Sequence, residues 1–165
     1  MGLKEILDAV RNQPDLKPHD GITYCNIAID RILGLMGIPR IINPLTGQPH
    51  LANSMIDAFE HSPTRWGEVN GFMAHSCADM GVLAIAAQKA DGHGHVAPVY
   101  PSEKMVYSPS WGKDVPYLSN VGRKNAIMRA SQCFRGEPKY YAFRVQENIC
   151  LAHERGEVGK GDGQV

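Results

Sequence analysis

A thiol and an imidazole seventy residues apart are the two groups in this chain best suited to breaking an amide bond. Cys25 opens an apolar helical stretch, Thr23-Tyr24-Cys25-Asn26-Ile27, and His95 opens a strand-like run, Gly94-His95-Val96-Ala97. The positive end of a helix favours the thiolate, and an imidazole on a rigid strand can take its proton and return it. The chemistry also needs donors for the oxyanion, and the unpaired amides of the helix start, that of Cys25 among them, can supply them. A polar group must orient the imidazole. A turn through Pro101-Ser102-Glu103 would bring Tyr107, Ser108 and Ser110 beside His95. Ser110 is the first candidate, with Asp114 and Asn120 in the turn-rich stretch behind it.

Each of these residues also has a plainer role. A cysteine on the apolar face of a helix is more often core than nucleophile, which leaves open a non-catalytic binding module. His75, Cys77, His93 and His95 would be the ligands of a metal site. His93 and His95 share a strand face, but the two-residue offset of His75 and Cys77 on a helix turns them apart, so metal is disfavoured. Trp66 and Trp111 read as packing residues, although Trp111 beside Ser110 could line a substrate groove. Asn53 reads as an exposed helix residue and Asn120-Val121-Gly122 as a structural turn.

Several elements must position these groups. Leu3, Ile6, Leu7 and Val10 have helical spacing, and Pro14 to Asp20 ends that helix. Cys25, Ile29, Ile32 and Met36 share a face of a second helix, capped by Thr23 or Asp20 and stopped by Gly37 and Pro39. After a loop over 40–50, Leu51, Met55, Ala58 and Phe59 predict a third helix, and a weaker one runs from Val69 to Met80. Strands are predicted at Val82 to Ala87, His95 to Tyr100, Lys104 to Ser108 and Tyr140 to Val145, with turns from Pro109 to Asn125. Helices first and strands after imply an α+β domain with a mainly antiparallel sheet.

The length of 165 residues, with 43% hydrophobic and 21% charged side chains, suits one domain over residues 1–155. Residues 156–165, with four glycines, read as a flexible tail. Seventeen basic and seventeen acidic residues give zero net charge, hence no field drawing the chain to nucleic acid or to an anionic membrane. The first helix is too charged for a signal peptide, and no apolar run approaches the roughly 18 residues that span a bilayer. The chain is thus expected to be made in the cytoplasm. Cys25, Cys77, Cys133 and Cys150 lack metal-knuckle spacing, and the last three read as small buried hydrophobes.

The order of parts resembles a known group. Thr23-x-Cys25-Asn26 before an apolar helix, Ala52-Asn53-Ser54-Met55, the Trp66 segment leading to Gly81-Val82-Leu83-Ala84-Ile85-Ala86, and Gly94-His95-Val96-Ala97-Pro98-Val99 resemble the NlpC/P60 and CHAP-like cysteine peptidases. Within that superfamily the chain is most similar to the peptidoglycan amidase effectors of type VI secretion and to phage-type amidases, over roughly residues 20 to 145. The resemblance implies a papain-like α+β fold, Cys25 as nucleophile, His95 as base and a variable polar third residue, for which Ser110 is the nearest match. It further implies cleavage of amide bonds in peptidoglycan stem peptides, commonly between D-glutamate and diaminopimelate or across the cross-link. It implies no metal or other cofactor and a cognate immunity protein as partner; the expected lack of a signal peptide fits delivery to the periplasm or cell wall by other machinery and fits a cytoplasmic hydrolase as well. An acyltransferase or deamidase of the same fold is the enzymatic alternative. Pro98 stands where the family usually has an ordinary strand residue, so this strand should lie at an edge or be bulged. Asn26 replaces the Ser-Gly that follows the cysteine in many NlpC/P60 members, so their substrate does not carry over.

Overall fold

Apolar spacing in the first sixty residues produces three helices in the computed structural model, which describes residues 1–144. Helix α1 (Leu3–Arg11) buries Leu3, Ile6, Leu7 and Val10, and a 3-10 turn at Pro14–Leu16 follows. Helix α2 (Cys25–Met36) buries Cys25, Ala28, Ile29, Ile32 and Leu33. It stops at Gly37, whose φ of 69° is left-handed, with Ile38 N–H returning to the Leu33 carbonyl at 2.9 Å and Gly37 N–H to that of Gly34 at 3.2 Å. This is a Schellman ending. Helix α3 (Ala52–Glu60) buries Ala52, Met55, Ile56 and Phe59.

The helix predicted from Val69 to Met80 forms as α4 (Gly71–Asp79), and Val69 instead ends a strand, β1 (Trp66–Val69), that was not expected. Asn70 makes the break, because its Oδ1 accepts the Met73 N–H at 2.8 Å and caps α4. Trp66 is a packing residue, its ring 4.7 Å from that of Phe59 and 5.2 Å from that of Phe143.

Strands β2 (Ala84–Gln88), β3 (His95–Pro98), β4 (Val106–Ser108), β5 (Lys113–Val115), β6 (Tyr117–Asn120) and β7 (Ala126–Arg129) follow, then the short helix α5 (Ala130–Cys133) and strand β8 (Lys139–Phe143). One four-stranded antiparallel sheet has the order β1-β8-β2-β3. The molecule is therefore α+β with a mainly antiparallel sheet. The expected last strand forms as β8; Val145, Cys150 and the tail over 156–165 lie outside the described residues.

β3 is one of the sheet's two edge strands, β1 being the other. Ile85 pairs with Pro98, and Val99 N–H donates to the Ala84 carbonyl at 2.8 Å. Since neighbouring residues alternate in direction, Pro98 and Val96 turn their nitrogens away from β2, and the ladder loses nothing to the proline. The expected neighbour of β3, Lys104 to Ser108, is not there. Its β4 pairs with β5 as a separate ribbon. The chain returns as β6, which meets the end of β3 through a Val99–Leu118 bridge and a 2.8 Å bond from Tyr100 N–H to the Tyr117 carbonyl. Pro98, lacking a donor on that outer side, keeps the contact short.

Cys25 and Cys133 are free thiols, whereas Cys77 is disulfide-bonded and not the unlinked hydrophobe expected of it. No described helix is long and apolar enough to cross a membrane.

Candidate active site

Tyr24 occupies the cap position of α2 and makes no side-chain cap bond, so neither Thr23 nor Asp20 caps the helix. The first intrahelical bond runs from Ala28 N–H to the Tyr24 carbonyl at 3.0 Å. The amides of Cys25, Asn26 and Ile27 thus have no partner inside the helix. α2 packs on β3, and the amides of Val96, Asn26 and Cys25 interact favourably with the Cys25 sulfur. Val96 is the residue after His95 and turns its N–H outward from the sheet edge, so the start of β3, which carries His95, lies against the start of α2, which carries Cys25. Asn26 Nδ2 donates to the His50 carbonyl at 3.0 Å and pins the end of the 40–51 loop beside the nucleophile.

The imidazole has a defined orientation. His95 Nε2 lies 2.7 Å from Asn120 Oδ1. Asn120 Nδ2 donates to the Lys124 carbonyl at 2.7 Å, and this fixes which end of the amide is the acceptor. His95 therefore carries its proton on Nε2 and leaves Nδ1 as the basic nitrogen. The Phe134 ring lies 5.1 Å from the imidazole on one side. Gly122 lies against it as well, since a Cβ at that position would stand 3.2 Å from His95 Cε1.

Asn120 holds the place beside His95 that the sequence reading gave first to Ser110. Ser110 is exposed in the β4–β5 turn, its Oγ 3.2 Å from that of Ser108, and Asp114 is exposed on β5. The pairing of β4 with β5 instead of β3 is the reason. Asn53 is not the exposed residue expected. It is half-buried and grips the loop before His95, donating to the Ala90 carbonyl at 2.8 Å and accepting the Ala90 N–H at 3.3 Å. A Cβ at Gly94 would collide with the Asn53 amide, so the glycine makes that approach possible. The adjacency of Gly94 to His95 was the available sign.

Burial governs the proton affinities. Cys25 is only 7% exposed, and desolvation pushes its thiol up, against the pull of the three amides. The helix N-terminus does not lower it as expected. Burial also lowers His95, partly offset by the bond to Asn120. Both groups are accordingly neutral near pH 7, the combination in which an imidazole acts as general base toward a thiol.

Among the described residues no group of three or more His, Cys, Asp or Glu could hold a metal ion. A cavity of about 300 Å³ lined by Met36, Ile38, Val82, Leu83 and Phe143 lies at the opposite end of α2 and takes no part in this site. The chain matches no protein-family model and no curated protein.

Proposed function

We propose that the protein is a papain-like cysteine hydrolase of the NlpC/P60 and CHAP type, cleaving amide bonds in peptidoglycan stem peptides. The observation that carries this reading is the 2.7 Å contact of His95 Nε2 with Asn120 Oδ1, from which the hydrogen-bond pattern assigns the proton to Nε2 and leaves Nδ1 basic. Nδ1 takes the proton from Cys25 Sγ as the sulfur attacks the carbonyl carbon, and the C=O electron pair moves to oxygen, facing the Cys25 amide. Collapse breaks the C–N bond while His95 returns the proton to the leaving amine. Water then hydrolyses the thioester, with His95 again as base.

The test is digestion of purified sacculi with analysis of the released muropeptides. The wild type is expected to release them and Cys25→Ala to release none with its fold intact; full activity in Cys25→Ala overturns the mechanism. Released ammonia or a new amide bond would favour the deamidase or acyltransferase alternative. The burial and raised thiol of Cys25 favour a second reading, a binding module in which the cysteine is core. That reading expects Cys25 to resist iodoacetamide until the protein unfolds, and labelling of the native thiol that changes in His95→Ala would exclude it.

A further inference from the structure

Cys25 and His95 lie on different elements, yet one short stretch of chain is bonded beside both. The His50 carbonyl accepts from Asn26 Nδ2 at 3.0 Å, and Asn26 is the residue after Cys25. Three residues on, Asn53 donates to the Ala90 carbonyl at 2.8 Å and accepts the Ala90 N–H at 3.3 Å, in the loop that leads to His95. The same amide lies so close to Gly94, the residue before His95, that a Cβ there would collide with it. Residues 50–53 thus reach from the head of α2 to the approach of β3, and three peptide steps span about 11 Å at most.

The stretch is itself held from both sides. His50 ends a hydrogen-bonded ribbon, its N–H donating to the Ile41 carbonyl at 3.2 Å, with Asn43 N–H bonded to the Gln48 carbonyl at 2.8 Å and a bridge between Ile42 and Pro49. On the other side α3 begins at Ala52 and is seated in the core by Met55, Ile56 and Phe59. Further along α3, Asp57 and Glu60 hold Lys89, the residue before Ala90. Apolar packing brings α2, α3 and β3 together, but it is non-directional; the bonds at residues 26 and 90 fix the register of the two elements.

From this we propose that residues 50–53 are a strut that sets the separation of Cys25 from His95, with Asn26 and Asn53 as the positioning residues at its two ends. The inference rests on the hydrolase reading for the chemistry the pair performs. A strut acts only as a whole, because once either end is released the other has nothing to brace. Releasing both ends should therefore cost no more than releasing one, whereas two unrelated structural roles would multiply.

Asn26→Leu keeps the side-chain volume and loses the donor, and Asn53→Ala loses both bonds to Ala90. Iodoacetamide labelling of Cys25 in the full-length protein at pH 7 reads the pair without a substrate, with His95→Ala as the uncoupled reference. Cys133, a free thiol on α5, reports any general loosening. The wild type is expected to label Cys25 about tenfold faster than His95→Ala does, and each strut variant to fall to the His95→Ala rate. The double variant should be no slower, and Cys133 should label alike in all. On a synthetic stem peptide each strut variant, and the double variant equally, should lose about 10²-fold in kcat with KM within about threefold. If Asn53→Ala exposes Cys133, Asn53→Asp takes its place, since it keeps the acceptor for Ala90 N–H, loses the donor and puts a favourable charge in the first turn of α3. Variants that label and turn over like the wild type, or losses that multiply in the double variant, overturn the strut and keep the hydrolase. Strut-dependent labelling with no hydrolysis by the wild type keeps the strut and overturns the hydrolase. Equal labelling of Cys25 in the wild type and His95→Ala overturns both.

Discussion

Cys25 heads a 12-residue helix seated in the core by Ala28, Ile29, Ile32 and Leu33, whereas Asn120 ends a 4-residue strand that buries one core side chain, Leu118, and whose last two residues, Ser119 and Asn120, are held by polar bonds. Arg11 Nη1 donates to Ser119 Oγ at 2.8 Å, Asn125 ties the following turn to Leu16, and Asn120 itself bonds Lys124. Non-directional burial is thus responsible for the nucleophile's place and directional hydrogen bonds for the base's orientation. The two regions should fail differently. Damage to α2 is felt by the whole fold, and damage to the β6–β7 turn is felt first in the geometry of one imidazole.

The largest effect is expected on the polar side. Asn120→Ala removes the acceptor for His95 Nε2–H and leaves the Lys124 carbonyl without its donor, freeing the imidazole to change tautomer. A loss of about 10²–10³ in kcat is expected, with KM little changed, because general-base catalysis of this kind supplies about that factor. Steady-state kinetics check it, and a variant within threefold of wild type would mean that packing by Phe134 and Gly122 alone orients the ring.

On the apolar side, Ile29→Ala removes a fully buried side chain from the inner face of α2. It should cost about 2–4 kcal/mol of stability in denaturant unfolding and leave kcat unchanged under conditions where the protein stays folded. A large kcat loss there would erase the contrast between the two regions.

Titration of His95 sharpens the same comparison. Burial lowers its folded-state pKa below the ordinary 6.5, so below pH 6.5 the unfolded chain binds a proton that the folded site resists. The stability His95 contributes is present above 6.5 and is lost as the pH falls through the folded value. Thermal unfolding midpoints should fall more steeply with acid in the wild type than in His95→Gln. Parallel profiles would mean that the imidazole is not desolvated.

The same division explains what could be read from the sequence. α1, α2 and α3 lie within a residue or two of their expected places, because apolar residues repeat at helical spacing and Gly37 supplies a left-handed stop. Pro98 pointed to an edge strand, and β3 is one. The stretch from Pro109 to Asn125 contains β5 and β6, of three and four residues, where turn-forming residues mask the alternation of such short strands. That β6, and not β4, meets the end of β3 depends on a long-range pairing that no local pattern records. Asn120 was therefore a lesser candidate than Ser110. The effect of burial on Cys25 was equally hidden, since a helix-start position does not reveal how much protein covers it.

The smallest effect is expected at Ser110, and it bears most directly on which strand serves His95. Its hydroxyl meets Ser108 in the β4–β5 turn, where the buried Ser108 Oγ also accepts the Trp111 N–H at 3.3 Å and Gly112, with φ 65°, completes the reversal. Ser110→Ala leaves that acceptor and the glycine in place, so the turn should persist, with stability changed by about 0.5 kcal/mol or less. Turnover should match the wild type across the pH range. A shifted lower limb of the kcat profile in Ser110→Ala would mean that the ribbon folds over the imidazole during catalysis. An unchanged profile, beside the deep loss in Asn120→Ala, would assign the orienting role to β6 alone.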